Sequence, residues 1–208
     1  MYDFLTDLDE YFCINYANYD KLCGLPGYEM PIMQRSEVRE DGRTYAYTLP
    51  METMRLADQA KKTELLAALK ERISDTTFSF SFAPVGVFRR IGNLFSKVAF
   101  YKHFNKLLER YGLSDAEVME QLSIDEQVWK GIKRGKFLPT KNLLYSFGLT
   151  AQISYDDLKN IFFLCDYEQD FAVVKDVVMA YLFSQKVYNR GMIDAALKEY
   201  KIGNLFIK

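Results

Sequence analysis

Residues 114–135 read SDAEVMEQLSIDEQVWKGIKRG, and the fold turns on how this stretch is read. Ser114 is a good helix N-cap, and Glu117 three positions on completes a capping box, in which each side chain accepts from the other residue's free backbone N–H. Val118, Leu122, Ile124, Val128, Trp129 and Ile132 supply the apolar positions of two short helices meeting at an angle. Asp125 is placed to cap the second helix and Gly135 to end it. A tight turn between two such helices holds the second one out towards a groove.

The flanks extend the pattern, with FNKLLERYGL before it and KFLPTKNLLYSFGLTAQISYDDLKNIF after it. Roughly residues 100–166, about a third of the chain, resemble the helix-turn-helix domain of the Cro/Xre repressor family. Ser114, Asp115, Ala116, Glu117, Val118 and Met119 match the family's Ser-Gln-x-x-Leu-Ala opening. Ile132, Lys133, Arg134 and Gly135 match its closing Ile-Glu-x-Gly. The preceding segment resembles the family's first helix and the following one its last two, with Pro139 starting one helix and Ser154 and Asp157 capping the next. The resemblance implies a recognition helix that opens with Glu126 and Gln127, residue types able to read cytosine and adenine edges. It also implies departures. Asp115 stands where the family's glutamine bonds a phosphate, which a carboxylate repels. Gly131 leaves a third base-reaching position without a side chain. Met119 and Ser123 replace a small residue at the helix crossing and the usual turn glycine.

Charge is distributed unevenly around this unit. Between Gln127 and Tyr155 there is no acid, yet Lys130, Lys133, Arg134, Lys136 and Lys141 fall there. In the family the helix end and the loop after it touch the phosphate backbone. The candidate DNA contacts are therefore Gln127, Lys130, Lys133, Arg134, Lys136 and Lys141. A second acid-free stretch, residues 76–108, carries Arg89, Arg90, Lys97, Lys102 and Lys106. A continuous basic face centred on Lys133 and Lys136 speaks for DNA. Acids interleaved across that face speak for a helix-turn-helix kept as a scaffold for a protein partner.

Outside this unit the chain reads as α+β, mostly helical. Phe4, Leu5, Leu8, Tyr11 and Phe12 fall at helical spacing over residues 2–16, before Gly24, Pro26 and Gly27 break the pattern. PIMQRSEV and RTYAYTLP flank a turn whose Asp41-Gly42 tolerates positive φ, which predicts a hairpin. Residues 51–73 are helical in pattern, with a possible break at Lys61-Lys62, and Phe78, Phe80 and Phe82 alternate with serines as in a half-buried strand. Hairpin and strand are expected to form one small antiparallel sheet covered by the intervening helix. The expected domains are 1–97, small and α+β, and 98–208, helical with two added C-terminal helices. Residues 84–100 are read as an interdomain helix burying Val87, Phe88, Ile91, Leu94 and Phe95, ahead of a membrane-surface segment. AVVKDVVMAYLFSQKVY is apolar over most of its circumference and is read as core, ahead of a homodimer interface.

Composition sets the remaining bounds. The chain has 208 residues, 49% apolar and 26% charged, so it can bury a core. Its net charge of −1 provides no global field towards polyanions. Cys13, Cys23 and Cys165 lack metal-ligand spacing and are expected to be free, buried thiols. The opening MYDFLTDLDEYF lacks the features of a signal peptide, and no apolar run approaches the ~20 residues of a membrane span, so a cytoplasmic protein is expected. His103 is the one histidine, which excludes a multi-histidine metal site. Asp7, Asp9 and Glu10 read as a solvated helix face, and Asp156 and Asp157 as first-turn acids. With no Gly-rich phosphate loop either, no cofactor and no enzymatic activity are expected. The leading expectation is a transcription-regulator-like protein that binds double-stranded DNA. The alternative is a protein-interaction scaffold, with a second copy of the chain among its possible partners.

Overall fold

The computed structural model describes residues 4–19, 32, 34–50, 59–73, 82–86, 99–203 and 205. In chain order these form α1 (Phe4–Asn15), β1 (Gln34–Val38), β2 (Thr44–Thr48), α2 (Gln59–Arg72), β3 (Phe82–Pro84), α3 (Phe100–Arg110) and α4 (Asp115–Leu122). There follow α5 (Glu126–Lys133), β4 (Phe137–Pro139), α6 (Lys141–Thr150), α7 (Tyr155–Leu164), α8 (Val174–Ser184) and α9 (Arg190–Glu199). The described residues are mostly helical with two small antiparallel strand pairs, an α+β arrangement.

The helix α8 is the axis of the core. Every residue from Lys175 to Phe183 is buried, because α1, α7 and α9 pack around it. Its apolar surface is thus covered within the chain, as the core reading expects. From α1, Tyr11 meets Tyr181 at 5.4 Å between ring centroids and Phe12 meets Tyr200 at 4.6 Å. Asp9, read from sequence as solvated, instead accepts from Lys70 Nζ at 2.8 Å and from Tyr200 Oη at 2.7 Å. Lys70 also reaches Glu199 at 2.6 Å, so one ammonium ties α1, α2 and α9 together. Helical spacing placed Asp9 on the polar side of α1 but could not show which helices would close over it.

One buried core holds Leu8 and Phe12 of α1, Leu65 and Leu69 of α2, Ile161 of α7 and Val177 of α8. It runs across the expected division at residues 97 and 98, which itself lies outside the described residues, as do Val87, Phe88, Ile91, Leu94 and Phe95 of the expected interdomain helix. Cys13 and Cys165 are buried thiols in no disulfide, and Cys23 lies outside the described residues.

Among the described residues the strands form two separate pairs rather than one sheet. β1 and β2 pair only with each other, Gln34 facing Thr48 and Val38 facing Thr44. β3 pairs antiparallel with β4, Phe82 facing Pro139 and Pro84 facing Phe137, and the Val85 N–H donates to the Lys136 carbonyl at 2.9 Å. Alternation marks a strand but not its partner, and here the partner lies over fifty residues away, directly after α5. Phe78 and Phe80 lie outside the described residues. Pro139 closes β4 rather than starting a helix. The next residue, Thr140, is the N-cap of α6 and its hydroxyl accepts from the Leu143 N–H at 3.3 Å.

Candidate nucleic-acid interface

The helix pair α4–α5 is fixed by its caps. The Ser114 hydroxyl accepts from the Glu117 N–H at 3.2 Å while the Glu117 carboxylate accepts from the Ser114 N–H at 3.3 Å and from its hydroxyl at 2.6 Å. These bonds hold the Glu117 carboxyl below the usual carboxylate range. Ser123 ends α4 in the left-handed region at φ 49°, with the Ile124 N–H donating to the Met119 carbonyl at 3.0 Å. Asp125 then caps α5, accepting from the Gln127 N–H at 2.7 Å and the Val128 N–H at 3.3 Å. Gly135 ends α5 at φ 67°, and the Lys136 N–H donates back to the Gly131 carbonyl at 2.8 Å, the paired bonding of a Schellman ending.

Those caps leave α5 with two distinct faces. Trp129, Gly131 and Ile132 are buried, with Trp129 against Phe104 of α3 at 5.6 Å between centroids. Glu126, Gln127, Lys130 and Arg134 are exposed on the other side. A concavity of about 400 Å³ runs between α5 and β4, lined by Gln127, Lys130, Arg134, Lys136 and Phe137. Another of about 530 Å³ lies towards α3 and α4, lined by Asn105, Asp115, Lys133 and again Lys130 and Arg134. The exposed side of α5 is therefore a ridge between two hollows. Gly131 is not a lost contact on that ridge. A Cβ there would sit 2.3 Å from the Phe137 ring, so the glycine is the space that lets β4 pack on α5.

The candidate cations divide into three groups. Arg134 and Lys136 are exposed and have no carboxylate within salt-bridge distance among the described residues, and Gln127 stands beside them. Lys130 pairs with Glu126 one turn back, both exposed, and Lys133 holds both oxygens of Asp115 at 2.7 and 2.8 Å. Partial burial pushes the Asp115 carboxyl up, but the Lys133 hydrogen bonds and the charges of Lys133 and Lys130 outweigh it and hold it below the usual range. Carboxylates are thus interleaved with cations. Around α5 the four cations Lys130, Lys133, Arg134 and Lys136 are accompanied by the three carboxylates Asp115, Asp125 and Glu126, which leaves the ridge close to neutral. Of the second acid-free stretch, Arg89, Arg90 and Lys97 lie outside the described residues.

Lys141 belongs elsewhere. Its ammonium donates to Asp176 of α8 and to the Glu168 carbonyl. Asp176, 2% exposed, also accepts from Tyr145 Oη at 2.9 Å and from the Asp170 N–H at 2.7 Å. Burial, then the Asp176 charge, push the Tyr145 hydroxyl well above its ordinary value. Sequence reasoning missed this network, although it left a signal: a polar side chain inside an apolar helix is buried at a cost unless hydrogen-bond partners surround it. It also missed how much Asp157 does. Beyond the first turn of α7, this buried carboxylate accepts from Arg110 Nη1 and Tyr111 Oη, each at 2.8 Å, and from Ser154 Oγ at 2.9 Å. Burial raises its pKa, but the bonds from Tyr111 and Ser154 and the Arg110 charge prevail and hold it low.

Among the described residues no group of three or more His, Cys, Asp and Glu could hold a metal ion, and no helix is long and apolar enough to cross a membrane. The His103 Nε2, on α3, is buried with no hydrogen-bond partner among the described residues. No protein-family model, characterised protein or solved structure matches the chain.

Proposed function

We propose that this chain is a non-enzymatic, transcription-regulator-like protein in which α4 and α5 form a helix-turn-helix of Cro/Xre type and α5 enters the major groove of double-stranded DNA. The observation that carries this reading is the ridge: an exposed polar helix face with Gln127 and Arg134, flanked by hollows, with Lys136 beside it. A major groove about 12 Å wide admits such a helix. Arg134 and Lys136 are the phosphate contacts, and Gln127 the side chain suited to a base edge. Lys130 and Lys133 join only after exchanging a carboxylate for a phosphate, a small cost for exposed pairs. Lys141 takes no part.

This division sets the salt dependence. Five phosphate contacts give a slope of log affinity against log salt near −4.5, whereas two give about −1.8. Fluorescence anisotropy with random duplex DNA between about 50 and 200 mM salt reads the slope directly. A shallow slope is expected, steeper in Asp115→Asn/Glu126→Gln and absent in Arg134→Glu/Lys136→Glu. No binding by the carboxylate-free variant at the lowest salt would sink the DNA reading.

The interleaved carboxylates support a second reading, in which the helix pair is a scaffold and the ridge meets a protein. Alternating charges on a near-neutral helix face suit a partner helix with the complementary pattern better than a uniform polyanion.

A further inference from the structure

Among the described residues, the hairpin β1–β2 stands apart from the helical core. All ten strand residues are exposed, including Val38 at 66%, Tyr45 at 37% and Tyr47 at 42%. Among the described residues, none outside 34–48 forms a hydrogen bond, ion pair or ring contact with it. A two-stranded hairpin alone in water is marginal, and a row of unpaired backbone groups is a template for another strand.

The register fixes which groups are free. The Arg39 N–H donates to the Arg43 carbonyl at 3.0 Å, so these residues form a hydrogen-bonded pair next to the turn that Gly42 closes at φ 76°. Antiparallel pairs alternate, so Arg35 and Glu37 direct their backbone bonds to β2, while Gln34, Ser36 and Val38 direct theirs to the open edge. Arg35 faces Tyr47 and Glu37 faces Tyr45, so all four side chains share one face of the hairpin.

We propose that the β1 edge pairs with β1 of a second copy of this chain, antiparallel about Ser36, to make a continuous four-stranded sheet. This register needs what the edge offers. Ser36 meets its own copy, and Gln34 meets Val38, as hydrogen-bonded pairs using the outward N–H and carbonyl groups. Arg35 then falls opposite Glu37 of the second copy, and Glu37 opposite Arg35, at the non-hydrogen-bonded sites where side chains approach closest. Each charge pair is flanked by a tyrosine from β2 of either copy. One-residue slips break both pairs, so charge selects the register as well as the partner. The β2 edge offers only threonines and tyrosines about Ala46 and has no such charge match.

Sedimentation velocity on the full chain, from micromolar to several hundred micromolar, tests the pairing. A reversible dimer is expected. Glu37→Arg sets like charges opposite each other twice and should raise the dissociation constant at least about tenfold. Arg35→Glu combined with Glu37→Arg restores the match and should restore the dimer. Ala46→Pro removes an N–H from the β2 edge alone and should leave it intact. These positions are exposed, so the helical core is untouched, and circular dichroism checks that. A wild-type chain that stays monomeric throughout, a dimer indifferent to Glu37→Arg, no rescue by the charge swap, or loss with Ala46→Pro would each overturn the proposal.

Discussion

Two lysine–carboxylate contacts in this molecule have the same chemistry and opposite standing. Lys133 and Asp115 meet on the flank of α5, with side chains 30% and 46% exposed. Lys141 and Asp176 meet where the aspartate side chain is 3% exposed, and Tyr145 and the Asp170 N–H complete its coordination. An exposed pair contributes about 0–1 kcal/mol, because water and salt replace either partner readily. An enclosed charge has no such substitute, so its partners fix one arrangement of α6, α8 and the loop between α7 and α8. Charged residues near α5 can therefore be exchanged for a ligand's charges, whereas those around Asp176 cannot. Residue type alone made all these lysines equal candidates. Enclosure separated them.

The sharpest way to break the comparison is to remove one carboxylate from each site. Asp176→Ala is expected to destabilise the chain by about 3 kcal/mol, since it takes the carboxylate partner from both Lys141 and the Tyr145 hydroxyl. Asp115→Ala is expected to cost under about 1 kcal/mol. Urea unfolding monitored by Trp129 fluorescence compares them, and equal effects would refute the distinction.

The inner face of α5 should be nearly as intolerant. Gly131→Ala pushes a methyl into the Phe137 ring, and a loss of about 1–3 kcal/mol is expected in thermal or urea unfolding. If the variant is as stable as the wild type, β4 is free to move away from α5.

Asp157 extends the comparison to pH. Its folded pKa is lowered, so the unfolded chain takes up its proton first as pH falls. The stabilisation is present above the unfolded value near 4 and is lost as pH falls through it towards the folded value. Asp157→Asn should be less stable at neutral pH and should lose less between about pH 4 and 2. Stability curves that stay parallel over that window would contradict the assignment.

The smallest expected effect is a gain. Ser123 occupies a left-handed conformation at the turn between α4 and α5, where an L side chain is strained. Ser123→Gly is expected to raise stability by about 0.5–1 kcal/mol, offset in part by glycine's larger unfolded-state entropy. A loss instead would mean that the serine side chain holds the turn.

Much of the helical unit was legible locally. Ser114, Asp125 and Ser154 were readable as caps because a cap's partners lie two or three residues away, and all three accept the expected bonds. The Asp41-Gly42 turn was readable for the same reason, and Gly42 does adopt positive φ. The candidate site was legible only in part. The sequence pointed to Gln127, Arg134 and Lys136 as exposed polar residues, and they are. It could not show that Asp115, eighteen positions earlier, would neutralise Lys133, or that Asp176 would claim Lys141.

By itself, then, the sequence determined the caps at Ser114, Asp125 and Ser154, the hairpin turn, and the apolar helix that had to be covered. These depend on spacings of two to four residues, within which backbone geometry decides which side chains meet. Only the tertiary structure decided that β3 joins β4 rather than the hairpin, that Asp9 and Asp157 bind neighbouring helices, and that Gly131 is a packing contact. Apart from the contact of Gly131 with Phe137, those pairings join residues 46 to 191 positions apart, and no local spacing encodes them. They follow from how the helices share one apolar core, whose burial sets which charges are enclosed and which stay open to a partner.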